Sequence, residues 1–126
     1  MIAAGWTAEK SASPEMIAHA EAGIGDRMPE SYKEFLSWSD GAEGYLGPAY
    51  LRLLGCNDLV RLCKDYEVSE YLPGYVLIGN DGGDCFYFMR SGVTHDKRVF
   101  MFLSGAFSED EAEEVGSSFT DFVLRL

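Results

Sequence analysis

Two apolar runs, Tyr75-Val76-Leu77-Ile78-Gly79 and Cys85-Phe86-Tyr87-Phe88-Met89, flank the segment Asn80-Asp81-Gly82-Gly83-Asp84. Asp-Gly-Gly supplies the positive φ that a tight reversal demands, so the runs read as two strands paired antiparallel. Downstream, Val99-Phe100-Met101-Phe102-Leu103 predicts another strand, reached through the polar loop 91–98. Upstream, Gly47-Pro48 marks a turn ahead of Tyr50-Leu51-Arg52-Leu53-Leu54, which predicts one or two strands within 45–54. Asn57 is placed to cap a short helix carrying Leu59, Val60 and Cys63.

Helical periodicity frames these strands. Ser13-Pro14-Glu15 joins a hydroxyl N-cap, a proline at the first helical position and an early carboxylate. Ile17, Ala20 and Ile24 then mark a buried stripe that ends near Gly23 or Gly25. A second helix is predicted from Met28-Pro29-Glu30, with Tyr32, Phe35 and Leu36 on its apolar face and Asp40-Gly41 as its stop. Ser117-Ser118 offers an N-cap for a last helix with Phe119, Phe122, Val123 and Leu126 at i, i+3, i+4, i+7. The order helices, strands, helix predicts an α+β single domain, residues 1–126, with helices packed around a mostly antiparallel sheet.

Composition bounds the function. A chain of 126 residues is one domain's length, and such a globule buries roughly two-thirds of its unfolded surface. At 47% hydrophobic and 13% aromatic, it is too apolar for a disordered acidic tail. Ten Lys and Arg against twenty-one Asp and Glu give a net charge of -11. That balance argues against a nucleic-acid partner and against docking on an anionic membrane. The three cysteines, Cys56, Cys63 and Cys85, fit neither a disulfide framework nor a CxxC zinc knuckle, so reduced thiols are expected. The opening MIAAGWTAEK has no basic n-region and no run nears the ~20 apolar residues of a membrane span, so a cytoplasmic protein is expected.

The order of these elements carries a resemblance. Met28-Pro29-Glu30-Ser31-Tyr32-Lys33-Glu34-Phe35-Leu36, followed by Asp40-Gly41, resembles the "LP-x-x-Y-x-x-F-L … N-G" opening of SMI1/KNR4 domains of the SUKH superfamily. Tyr71-Leu72-Pro73-Gly74 and then Ile78-Gly79-Asn80-Asp81-Gly82-Gly83-Asp84 resemble its central "G-x-D-G-G" segment. Ser118-Phe119-Thr120-Asp121-Phe122-Val123 is similar to its terminal "S-F-x-E-F-L" helix. The matches run in order over residues 28–124. Met28 replaces the usual leucine, Asp40 the usual asparagine, and Asp84 stands where many members have glycine. The resemblance implies an α+β fold and a non-enzymatic role. Bacterial members are widely taken to be immunity proteins that neutralise a toxin of a polymorphic or contact-dependent system. Fungal members are regulators and scaffolds, so the alternative is a regulatory or scaffold interaction domain without a toxin partner. The family shares no catalytic residues to carry over.

The residues themselves point to no catalytic, cofactor or metal site. The segment 79–84 lacks the lysine and hydroxyl of a P-loop, and no glutamate follows Asp81 at the spacing of a calcium loop. His19 and His95, the only imidazoles, have no nucleophile elbow beside them and read as surface residues. The most distinctive feature is the acidic run Glu109-Asp110-Glu111-Ala112-Glu113-Glu114. It reads either as a solvated loop or first helical turn before the last helix, or as a docking surface for a basic protein partner such as a toxin domain. Glu109, Asp110, Glu111, Glu113 and Glu114, with Asp81 and Asp84, are therefore the candidate partner-binding residues. Trp6, Tyr45, Tyr50, Tyr66, Tyr71 and Tyr75 lie near turns or element edges as candidate anchors, and the sequence does not choose among them.

Overall fold

The central hairpin forms as its sequence predicts. A computed structural model of the chain describes residues 7–126. In it, β4 (Tyr75–Asn80) pairs antiparallel with β5 (Cys85–Arg90), from Tyr75 opposite Arg90 to Asn80 opposite Phe86. Glycine alone does not hold the reversal. Asn80 Oδ1 accepts from the Gly82 amide at 2.9 Å, and Asp81 Oδ1 accepts from those of Gly83 and Cys85 at 2.8 and 3.2 Å. Around this hairpin lie β1 (Thr7–Ala8), β2 (Ala42–Leu46), β3 (Ala49–Leu53), β6 (Val99–Leu103) and β7 (Glu113–Gly116). All pairings are antiparallel, and each strand lies beside its neighbours in the chain, in the order β1-β2-β3-β4-β5-β6-β7.

The helix ends follow their caps. Helix α1 (Pro14–Ile24) opens on Ser13, whose Oγ accepts from the Met16 amide at 3.2 Å, and closes on Gly25 in the left-handed region. Helix α2 spans Glu30–Trp38 and buries Tyr32, Phe35 and Leu36. Helix α5 (Phe119–Leu124) starts at Ser118, whose Oγ accepts from the Asp121 amide at 3.0 Å. Leu126 falls beyond it. Between β3 and β4 come α3 (Cys56–Asp65) and the single turn α4 (Val68–Tyr71).

Helix α3 corrects one expectation. Its N-cap is Gly55, and Asn57 lies inside the first turn. The capping oxygen comes from across the chain, where Asp40 Oδ1 accepts from the Cys56 amide at 2.7 Å. The reason is steric. A Cβ at Gly55 would sit 2.4 Å from the Asp40 carbonyl oxygen, and one at Gly41 would sit 2.8 Å from the Gly55 nitrogen. Two backbones cross too closely for a side chain at position 55, so the cap is supplied by the crossing segment between α2 and β2.

Both faces of the central strands are covered. Phe86 and Tyr87 are consecutive on β5 and so point to opposite faces. On the first face Phe86, Phe88 and Phe102 pack around Phe107, and Tyr66 at the end of α3 meets both Phe86 and Phe107. On the second, Tyr87 meets Phe122 of α5 at 4.7 Å, and Phe119 ties α5 to Tyr32 and Phe35 of α2. Tyr32 is fully buried; its hydroxyl lies 2.5 Å from the Leu54 carbonyl oxygen and 3.0 Å from that of Ile78, so its proton is shared between β3's end and β4. The result is the expected α+β arrangement. Pairing of Glu43 with Arg52 and of Tyr45 with Tyr50 puts all four on the first face, exposed or partly exposed, while Ala42, Leu51 and Leu53 turn inward.

Candidate partner-binding surface

The acidic run is not one element. Glu109–Glu111 form a single 3-10 turn, and Glu113 and Glu114 begin β7, which forms an edge of the sheet. A strand therefore stands where a loop or first helical turn of the last helix was expected. Charged residues at a four-residue sheet edge leave no apolar alternation to announce a strand. All five carboxylates are exposed.

Two of the five are already engaged. Arg90 Nη1 donates to Glu109 Oε1 at 3.3 Å, and Arg98 Nη1 to Glu114 Oε1 at 3.5 Å. Both arginines also lie over rings, Arg90 4.6 Å from the centre of Tyr75 and Arg98 4.8 Å from that of Phe100. Arg98 holds the Asp96 carboxyl below its usual range through a paired hydrogen bond. These groups form a braced rim on the first face. Asp110, Glu111 and Glu113 have no ion pair among the described residues.

Asp81 and Asp84 stand elsewhere, at the β4–β5 turn, at the other end of β5 from Arg90. Asp81 organises that turn through its two amide contacts, and the Asp84 carbonyl accepts from the Ser104 amide at 2.8 Å. Glu113 shares the second face with Met101 and Tyr87 through strand pairing. Burial first, then a hydrogen bond with the Asp81 side chain and the negative field of Asp81, Asp84 and Glu113, pushes the Cys85 thiol up. Of the seven predicted residues, then, Asp81 and Asp84 hold the β4–β5 turn beside Cys85 and Glu113 lies on the second face, while Glu109 and Glu114 join the first face.

Cys56, Cys63 and Cys85 are unbridged. Burial raises Cys56 to about 12 and Cys63 to about 11, so both stay protonated at neutral pH. His19 and His95 are exposed, on α1 and in the loop between β5 and β6. Among the described residues no group of three or more His, Cys, Asp or Glu is arranged to hold a metal ion, and no helix is long and apolar enough to cross a membrane. Trp6 and the rest of residues 1–6 lie outside the described residues.

The acidic surface missed one neighbour that sequence could not weigh. Tyr45 is 60% exposed and meets Tyr50 edge to face at 5.2 Å. The Tyr50 hydroxyl donates to Glu43, and its ring lies against Gly82 of the β4–β5 turn. The signal was present as two tyrosines flanking Gly47-Pro48, but only the register of β2 on β3 puts them side by side on the first face.

The SMI1/KNR4 family model (SUKH-1) matches residues 11–125, from the start of α1 through α5. The chain belongs to the SMI1/KNR4 family. Its three quoted motifs now have physical meanings in this member. The Tyr32 hydroxyl of the opening motif reaches the Leu54 and Ile78 carbonyls, and Asp40-Gly41 crosses Gly55 and caps α3. The central motif is the β4–β5 turn, and Ser118 of the terminal motif caps α5. The chain is also 38% identical over 68 residues to the uncharacterised protein YnaB of Bacillus subtilis (strain 168). That match covers 54% of this chain and 43% of YnaB, so it spans less than half the length of that relative.

Proposed function

We propose that this SMI1/KNR4 protein is an immunity-type protein, which binds a cognate toxin of a polymorphic or contact-dependent system and neutralises it by non-covalent occlusion. Its work is binding rather than turnover, and its place is the bacterial cytoplasm where such a toxin would act. The observation that carries this reading is the row of five exposed carboxylates at positions 109–114, on a family member with a net charge of -11. Toxins that attack nucleic acid need a cationic face to hold their substrate. An acidic protein can cover that face and be drawn to it, with association speeded by about 10–10³-fold.

Two experiments test it. If a toxin gene with a C-terminal effector domain is found directly upstream, co-expression should rescue growth from that domain in cells; failure to protect, with both proteins made, removes the immunity reading. In vitro, the association rate with that domain should fall steeply as salt rises toward physiological strength. Reversal of the ion-pair-free Asp110, Glu111 and Glu113 to lysine should slow association while leaving dissociation nearly unchanged. A rate indifferent to salt and to these reversals would assign the row to solubility alone.

A further inference from the structure

We infer that β7 receives an added β-strand from the protein partner, one that sets a lysine or arginine opposite Glu113 and an uncharged side chain opposite Glu114. This deepens the reading above and rests on it for the identity of the partner, while the place and mode of contact come from the sheet edge itself.

The backbone of β7 is only half used. It pairs with β6 on one side, Phe100 opposite Glu114 and Met101 opposite Glu113, and ends the sheet on the other. Among the described residues, Glu113, Glu114 and Val115 make no backbone hydrogen bond away from β6. Alternate residues of an antiparallel pair turn both amide and carbonyl outward, so the edge offers a donor and an acceptor to a further strand. The beginning of the chain does not reach it. Six spacings of about 4.8 Å separate β7 from β1 across the sheet, and the six residues ahead of Thr7 extend no more than about 20 Å. Helix α5 crosses the C-terminal end of β7, where Phe122 closes on Gly116, and leaves Glu113 and Glu114 exposed.

Charge selects the incoming strand. Neighbouring residues of β7 face opposite ways, so each glutamate reads one face of an added strand. Glu114, on the first face, already holds Arg98, which also forks onto Asp96. A second cation there would meet that guanidinium, so an uncharged residue fits. Glu113, on the second face, has no ion pair among the described residues. Beside it on β6, Met101 is partly buried and Leu103 is 51% exposed. A long cationic side chain can lay its methylenes toward this apolar ledge while its head group meets the carboxylate. Backbone pairing then supplies the hold, and alternate side chains supply the choice. Asp110 and Glu111 attract at long range, and β7 holds at contact.

The edge can be tested without the partner. The ¹⁵N-labelled protein is titrated with a blocked Thr-Lys-Thr-Lys-Thr peptide, and with the same peptide N-methylated throughout, which keeps the charge but has no backbone donors. Amide shifts and slowed hydrogen exchange should concentrate at Glu113, Glu114, Val115 and Gly116, and should be at least several-fold weaker with the N-methylated peptide. Glu113→Gln should weaken binding of the parent peptide several-fold, and Glu114→Gln less. Equal binding of the two peptides, shifts spread evenly over all acidic residues, or no shift at millimolar peptide overturns the proposal, and equal effects of the two substitutions overturn the placement of the cation. So does protection of every amide of β7 in the free protein: if it grows with protein concentration a second copy holds the edge, and if it does not the chain covers its own edge. In a complex with a cognate effector domain, exchange at 113–116 should slow. Binding without that slowing refutes the added strand and leaves the immunity reading intact. Absence of binding by the wild type refutes the immunity reading, and the peptide titration alone then decides the strand.

Discussion

Asp40 shows how much a single side chain can carry. It lies where the family usually has asparagine, and both residues present the same oxygen to the Cys56 amide. Asp40→Asn should therefore change stability little, because acceptor and geometry are kept. Asp40→Ala leaves the first turn of α3 without its cap and should cost about 1 kcal/mol, within the 0.5–2 kcal/mol usual for N-caps. Urea denaturation of the two variants checks this; equal losses would mean that charge, not the acceptor oxygen, matters at this position. Asp96 offers a pH test with a defined sign. Its folded carboxyl is held below its ordinary value by Arg98, so its stabilising contribution is full above the unfolded value near ~4 and is lost as pH falls through the lower folded value. The stability gap between wild type and Asp96→Asn should thus be open at neutral pH and close below about pH 4. A gap that widens in acid would contradict the pairing.

At the scale of elements, β3 and β4 meet over only two register pairs, Arg52 with Asn80 and Leu53 with Gly79. A Cβ at Gly79 would lie 2.4 Å from the Arg52 carbonyl oxygen. Gly79→Ala should destabilise the fold by more than the ~1 kcal/mol of an ordinary substitution, since backbone rather than a flexible side chain must yield. The comparison is Gly47→Ala, where no atom lies within 4 Å and only the positive φ opposes the change. Equal thermal shifts for the two would show that the β3–β4 seam adapts. These elements also mark how far sequence reading reaches. Hydroxyl caps at Ser13 and Ser118, the Asp-Gly-Gly reversal and the helical stripes are local signals, and each gave the element it predicted. Gly55 was opaque because its role depends on Asp40, fifteen positions earlier in the chain. Strands β1 and β7 were missed because edges of two and four residues carry no two-sided apolar pattern.

For the whole molecule, net charge was legible at once, whereas its distribution was not. The run at 109–114 looked continuous in sequence, but strand alternation sends Glu113 and Glu114 to opposite faces, and Glu109 and Glu114 are braced by arginines. The tyrosines look alike in sequence, but the structure separates Tyr45, exposed on β2, from Tyr75, which is buried against Phe88, Phe100 and Phe102.

An open meander has ends, and β7 is one of them. Unpaired strand edges invite further strands and so fibrous growth. Two copies approaching through β7 would bring Glu113 and Glu114 against their own counterparts, and like charges set opposite each other oppose pairing. Like charges therefore oppose pairing of this edge with its own copy. Replacing both glutamates by glutamine should let sedimentation detect association at high protein concentration that the wild type resists. The acidity of this edge would on this account keep the sheet from extending itself.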